Sequence, residues 1–180
     1  MWFLGRYDHV IDPKNRLLIP APHRKVIESE KLGKVLIARP VLARDQSMNL
    51  KIRYLELMPE VVYSELSAAD MSRKNLNVGM GEVYKLNQLF GSAYYLEIDD
   101  AGRVLLPERY INRDGRQPNL LGERMLGTAV SVVGIDKSIA IWNQNEFLWF
   151  DRTMQEKSLG EPLASWDDIS GQAAPQISQG

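Results

Sequence analysis

Residues 7–24 read Y-D-H-V-I-D-P-K-N-R-L-L-I-P-A-P-H-R, and the fold turns on how this stretch is read. Val10 and Ile11 lead as the end of a strand into Asp12-Pro13-Lys14-Asn15. Arg16 then opens a second apolar run, Leu17-Leu18-Ile19, which Pro20 ends. The four turn residues are chemically specific. Asp at the first position accepts a hydrogen bond from the amide two residues on. Pro at the second fixes φ for a type I turn. Asn at the fourth tolerates the left-handed conformation that precedes a bulge. The expectation is a strand, a tight turn, a hairpin partner strand and the start of a helix, with Lys14 and Arg16 at a rigid, solvent-facing tip.

The stretch occurs twice. Residues 94–111 read Y-Y-L-E-I-D-D-A-G-R-V-L-L-P-E-R-Y-I, with Tyr7, Ile11, Asp12, Arg16, Leu18 and Pro20 recurring as Tyr94, Ile98, Asp99, Arg103, Leu105 and Pro107. The offset is 87 residues, taken from Asp12 to Asp99 and again from Arg16 to Arg103. Gly102 stands where Asn15 stood, and these are the two residue types most at ease at positive φ. Two such turns in register, each running into an apolar segment and a proline, indicate an internal duplication.

Both copies resemble the hairpin of AbrB/SpoVT-type swapped-hairpin modules. Two in one chain, ordered G-x-Y…D-x-x-x-R…P, then D-x-G-R-V-L-L-P followed by V-V-G…I-A-I-W, resemble the MraZ family over roughly residues 1–154. The chain has Asn15 where that family usually has Gly. The resemblance implies an α+β, mainly β fold: a pseudo-two-fold double swapped-hairpin AbrB-like barrel with short covering helices. It implies two halves interleaving into one body; with composition and periodicity the chain divides into a first half over residues 1–66, a linker and connecting helix over 67–91, a second half over 92–154 and, where Gly, Pro, Gln and Ser dominate, a flexible tail over 155–180. It further implies a transcriptional regulator that binds double-stranded DNA at tandem promoter repeats ahead of division and cell-wall genes. Such proteins form ring-shaped homo-oligomers, octamers or dodecamers, which are cytoplasmic and nucleoid-associated, and no cofactor is expected.

The bulk properties fit this frame. The chain has 180 residues, 44% hydrophobic and 25% charged, which is ordinary globular material. It has no cysteine, so neither a disulfide framework nor a thiolate metal site is available. No apolar run approaches the roughly 20 residues that span a bilayer, and charge interrupts the short apolar N-terminus, so a soluble cytoplasmic protein with no membrane partner is expected. Net charge is −1, but its distribution is uneven. Residues 1–25 carry Arg6, Lys14, Arg16, Arg24 and Lys25 against Asp8 and Asp12, a balance of 5 − 2 = +3. Residues 94–116 carry four arginines against five acids, 4 − 5 = −1. The first copy is therefore the expected phosphate-facing one.

Along the chain, strands are expected over 3–11, 16–19, 35–38, 52–58, 129–133 and 138–142. Pro22 suits the first turn of a short helix through Leu32, closed by Gly33. Pro40 is expected to stop the third strand and residues 39–51 to form an irregular loop. Glu60 opens a helix carrying Val61, Val62 and Leu66. Residues 67–80 read as a linker and 81–90 as a helix. In the second half, a short helix follows Pro107, and residues 113–127 read as a loop. Asn143 and Glu146 form a capping box for a helix carrying Phe147, Leu148 and Phe150. Beyond Ser158 only Trp166 and Ile169 look like anchors.

The candidate DNA-binding residues are Lys14, Asn15, Arg16, Arg6, Arg24 and Arg103, with Asp12, Asp99 and Gly102 bracing the turns. A guanidinium fork can bind a phosphate or a guanine edge bidentately. The plainer alternative is that each Asp–Arg pair only braces its hairpin, and it fits the acidic second copy better. Glu97, Asp99 and Asp100 could suggest acid–base chemistry or a metal site, but a turn-forming Asp99 explains itself. His9 and His23 are the only histidines; His23 reads as an ordinary surface residue beside Arg24, within reach of DNA. Trp142, Phe147 and Trp149 read as core or subunit-contact residues. No nucleophile–base pair or phosphate-cradling loop is present, so the chain is not expected to be an enzyme. The competing reading is a ring-forming assembly protein without direct DNA binding, motivated by the near-neutral charge.

Overall fold

The computed structural model describes residues 2–45, 50–72, 90–114 and 123–158. Among the described residues eight strands are formed: β1 (Arg6–Val10), β2 (Arg16–Leu18), β3 (Val35–Asp45), β4 (Leu50–Pro59), β5 (Tyr94–Glu97), β6 (Arg103–Leu105), β7 (Ala129–Ile135) and β8 (Ser138–Asn143). The same residues form three α-helices, α1 (Ala21–Ser29), α2 (Glu60–Ser72) and α3 (Gln144–Ser158), and a 3-10 turn at Glu108–Tyr110, an α+β, mainly β architecture. The chain divides into two compact units, Met1–Phe147 and Leu148–Gly180, the boundary falling inside α3.

The first unit holds an open six-stranded sheet, ordered β1-β7-β8-β4-β3-β5, and a separate two-stranded ribbon, β2-β6. Here the structure corrects the sequence. The turn at Asp12–Asn15 forms, but β1 and β2 do not pair with each other. β1 lies antiparallel to β7, with Tyr7 opposite Val132, and β2 lies antiparallel to β6. The second copy does the same: β5 pairs with β3, with Tyr94 opposite Ala38. Each half thus sends its first strand to the edge of the other half's sheet. The local signal specifies the reversal of direction; which strand fills the neighbouring hydrogen-bonding position is settled by burial across the two halves.

The register carries the duplication into three dimensions. The 87-residue offset takes Leu17 to Val104, and these two residues face each other in the ribbon, flanked by Arg16 opposite Leu105 and Leu18 opposite Arg103. In the sheet, Glu56 opposite Ala140 is the middle pair between Leu55–Ile141 and Leu57–Ile139. Exchanging the two copies maps the strand order onto its own reverse. The ribbon's inner face, Leu17, Ile19, Val104 and Leu106, is buried to within 1% of full. These four join Phe3, Ile11, Leu36, Leu55, Leu57, Ile98, Val132 and Ile141 in one core. Each such side chain contributes about 1.5–3 kcal/mol relative to exposure.

Several boundaries differ from expectation. β3 runs through Pro40 to Asp45 and forms a long hairpin with β4, so only 46–49 of the expected 39–51 loop lie outside the described residues. Proline is tolerated because β5 reaches only to Ala38; beyond it β3 is an edge strand, where a missing amide leaves no sheet neighbour unsatisfied. Arg39 supports this segment by pairing with the nearly buried Glu56 at 2.9 Å, and Ser138 Oγ donates to the same carboxylate at 2.7 Å.

α1 ends at Ser29 rather than Leu32, because Lys31 and Gly33 adopt positive φ of 53° and 81°. α2 continues past Leu66 to Ser72, and α3 reaches Ser158, so residues 67–72 of the expected linker and 155–158 of the expected tail are helical. Residues 67–72 contain neither Gly nor Pro, the two residue types that most disfavour a helix. The helix expected over 81–90 lies, except for Phe90, outside the described residues, as do Trp166 and Ile169. Of the loop expected over 113–127, residues 115–122 lie outside the described residues; at its end Met125 and Leu126 are buried, and Leu126 bridges to Ile111. Asn143 Oδ1 accepts from the amide of Asn145 at 3.0 Å, capping α3. The Glu146 carboxylate does not reach back to complete a box; it pairs with Arg53 on β4. Among the described residues no helix is long and apolar enough to cross a membrane.

Candidate nucleic-acid interface

The two turns share the same backbone bonds and the same Asp–Arg pairing. The amide of Asp12 donates to Arg16 O at 3.0 Å, and that of Asp99 to Arg103 O at 2.8 Å. Asn15 N–H returns to Asp12 O at 2.9 Å, and Gly102 N–H to Asp99 O at 2.8 Å. Asn15 has φ of 61° and Gly102 of 80°, as their residue types allow. The Asp12 carboxylate accepts from the amides of Lys14 and Arg16, both at 2.8 Å, and from Arg16 Nε at 2.7 Å. Asp99 accepts from the Arg103 amide at 2.8 Å and Arg103 Nε at 2.9 Å. Both carboxyls are held below the ordinary aspartate range, first by the arginine's backbone amide and also by its guanidinium. They stay ionised at neutral pH and lock each turn.

The turns also interlock. Ile19 N–H, at the end of β2, donates to Gly102 O at 3.0 Å, and Leu106 N–H, at the end of β6, donates to Asn15 O at 2.9 Å. Each left-handed residue therefore ties down the other copy's strand. The turns lie at opposite ends of the ribbon, because β2 and β6 run antiparallel from them.

The candidate side chains separate by what they touch. Lys14 is exposed at the first tip, with no acidic partner among the described residues. Arg16 engages Asp12 through Nε, with its side chain 32% exposed. Arg103 is 34% exposed and grips Asp99 through both Nε and Nη2, so less of its fork is free. Arg6 lies beside Asp8 at 3.3 Å and over the Phe147 ring at 4.7 Å, away from either turn's bonding. Asn15 Oδ1 accepts from Arg113 Nη2 at 2.9 Å, and the same nitrogen donates to Asp12 O at 2.6 Å.

Arg24 lies over the other tip. A Cβ added to Gly102 would stand 2.5 Å from Arg24 Cδ, so the guanidinium stem covers the second turn's bare backbone. The two arginines therefore cross over: Arg24, counted with the first copy in sequence, belongs to the second turn, and Arg113 belongs to the first. The first tip gathers Lys14, Arg16 and Arg113 against Asp12, a balance of 3 − 1 = +2. Arg113 was missed because nothing in its own neighbourhood marks it; only the strand exchange brings it there.

His23 is corrected. It is fully buried, with Nε2 3.1 Å from Leu4 O and edge-on ring contacts to Phe3 at 5.6 Å and Tyr7 at 5.2 Å. Burial pushes its pKa down, so it is a neutral core residue out of reach of DNA. The helix face that carries it also carries Ile27 inward, a spacing of four that marks one buried stripe. Trp142 is buried and stacked on Tyr54 at 4.8 Å, while Trp149 is exposed. Asp99 and Asp100 do not converge with Glu97: Asp99 holds Arg103, and Asp100 holds Lys34 at 3.0 Å. Among the described residues no group of three or more acids and histidines could hold a metal. Arg109 is occupied by Tyr94 Oη and Glu123.

Comparison with known proteins points the same way. Residues 89–169 match the family model described as "MraZ protein, putative antitoxin-like". The protein named transcriptional regulator MraZ in Roseiflexus castenholzii is 30% identical over 142 residues, which is 78% of this chain and 80% of that one. Its namesake in Mycoplasmoides gallisepticum is 29% identical over 166 residues, covering 92% and 98% of the two chains. That in Bacteroides fragilis is 28% identical over 141 residues, covering 78% and 76%. With relatives aligned along most of its length and two matching turns at the residues that mark them, this chain belongs to the MraZ family.

Proposed function

We propose that this protein is a transcriptional regulator, not an enzyme, that binds double-stranded DNA at tandem promoter repeats of the division and cell-wall gene cluster. The observation that carries this reading is the pair of rigid turns at the two ends of one ribbon, the first presenting Lys14 unpaired beside Arg16 and Arg113. The names borne by its relatives support it. In this reading the exchange of β1 and β5 between halves is the swapped-hairpin arrangement of AbrB/SpoVT-type modules, and Lys14, Asn15, Arg16, Arg24 and Arg103 form the DNA-facing rim. Arg6, bound to Asp8 and Phe147, serves at its edge.

One such surface makes few phosphate contacts and would bind weakly and salt-sensitively. Repetition on a ring-shaped homo-oligomer, an octamer or dodecamer, raises affinity because later contacts become intramolecular. The protein then acts in the cytoplasm, associated with the nucleoid. The test is affinity for one repeat against three tandem repeats at matched salt. A gain of about 100-fold or more is expected for the tandem probe; equal affinity would remove the avidity argument, and no binding to either would remove the DNA-binding reading.

A further inference from the structure

The outer face of the ribbon carries a pattern that charge alone does not account for. β2 and β6 alternate strictly: Leu17 and Val104 point into the core, while Arg16, Leu18, Arg103 and Leu105 point out. Arg16 stands opposite Leu105, and Leu18 opposite Arg103. The four form a two-by-two patch with the arginines on one diagonal and the leucines on the other. Leu18 is 38% exposed and Leu105 61% exposed, so two large aliphatic side chains sit in solvent at equivalent places of both copies. A single exposed leucine is unremarkable on a protein surface. Two at symmetric positions of a duplicated motif, each beside an arginine and between the two turns, form a surface with its own symmetry.

Resting on the DNA-binding reading above, we infer that Leu18 and Leu105 are specificity-determining residues, each packing against a thymine 5-methyl group in the major groove. The geometry fits. The major groove admits a two-stranded antiparallel ribbon, and the thymine methyl is the one apolar feature that it displays. Diagonal neighbours across two strands lie about 7–8 Å apart, close to two base-pair steps of about 3.4 Å. The symmetry of the patch relates the two leucines by the same operation that relates the arginines. The two thymines therefore lie on opposite strands, about two steps apart, with Arg16 and Arg103 reaching phosphate or guanine on either side. The charge of the patch selects DNA over a second protein surface. Packing this face against protein would bury two guanidiniums whose carboxylate partners already hold part of each fork.

The test begins with the full-length protein and a site selected from random duplexes. Each thymine of that site is then replaced by deoxyuridine, which lacks only the methyl group, and affinity is read by fluorescence anisotropy. Two positions on opposite strands are expected to lose about fourfold each, the worth of roughly one buried methyl. One of these losses should vanish in Leu18→Ser and the other in Leu105→Ser, with circular dichroism and particle size unchanged. Indifference to every deoxyuridine, or losses that persist in both variants, overturns the inference and leaves the DNA-binding reading standing. A change of particle size in place of base preference would assign the face to contacts between copies and also overturn it. If no duplex is selected at all, the DNA-binding reading fails and takes this inference with it.

Discussion

Cutting Leu17 back to alanine probes the joint between the two halves. Leu17 is fully buried at the centre of the ribbon, opposite the equally buried Val104. The substitution loses the transfer energy of the removed carbons and leaves a cavity, together about 3 kcal/mol within the 2–5 kcal/mol range for buried leucines. In a chain of this size that lowers Tm by about 6–12 °C. Val104→Ala removes two methyl groups at about 0.8 kcal/mol each and a smaller cavity, together about 2 kcal/mol. The two side chains share one contact, so the double variant should cost less than the sum by at least about 0.5 kcal/mol. Urea denaturation followed by circular dichroism, at one fixed protein concentration so that association does not enter, gives all three values. The ribbon joins both copies, so each variant should still unfold in a single transition. Additive losses, or two transitions at separate urea concentrations, would refute the view that the ribbon unites the halves.

Two further outcomes follow from the same geometry. His23 has its pKa depressed below the ordinary 6.5 by burial, so the unfolded chain binds its proton first; stability is full above about pH 6.5 and falls as pH drops below it. The loss ascribed to His23 at pH 5.5 is at most about 1.4 kcal/mol. The urea midpoint at pH 7.5 and 5.5 should therefore differ less in His23→Gln than in the parent, and an equal difference would place the acid sensitivity elsewhere. At the second turn, Gly102→Ala puts a Cβ at φ of 80° and displaces Arg24, which should cost about 1–2 kcal/mol and lower Tm by about 2–8 °C; an unchanged Tm would mean the turn relaxes freely.

Much of this architecture is legible in the sequence. Turn chemistry is local: Asp at the first position and Asn or Gly at the fourth, with Pro13 added in the first copy, specify the reversals at Asp12–Asn15 and Asp99–Gly102, and both form with matching backbone bonds. The 87-residue offset exposes the duplication, and the symmetric register follows from it. Pairing partners are not legible, because a strand's hydrogen-bonding groups carry no address. Nothing in residues 6–10 distinguishes β2 from β7 as a neighbour. Pro40 misleads for a related reason: whether a proline ends a strand depends on whether that stretch is an edge, which is decided by where β5 stops. His23 looks like a surface residue because its acceptor, Leu4 O, lies 19 residues away in sequence. Arg24 and Arg113 exchange tips only after the halves interlock, so a charge count by sequence window assigns each to the wrong turn.

Salt dependence of binding tests the central claim most directly. The claim is that cations on the first turn contact phosphate. The slope of log K against log salt concentration should be measured on a single-repeat duplex for the parent, for Lys14→Ala and for Lys137→Ala, the last an exposed lysine in the turn after β7, at the end of that strand away from the Val10–Ala129 pair. The account predicts a slope about 1 unit shallower for each engaged first turn in Lys14→Ala, and the parent slope in Lys137→Ala. Identical slopes in all three proteins would contradict it.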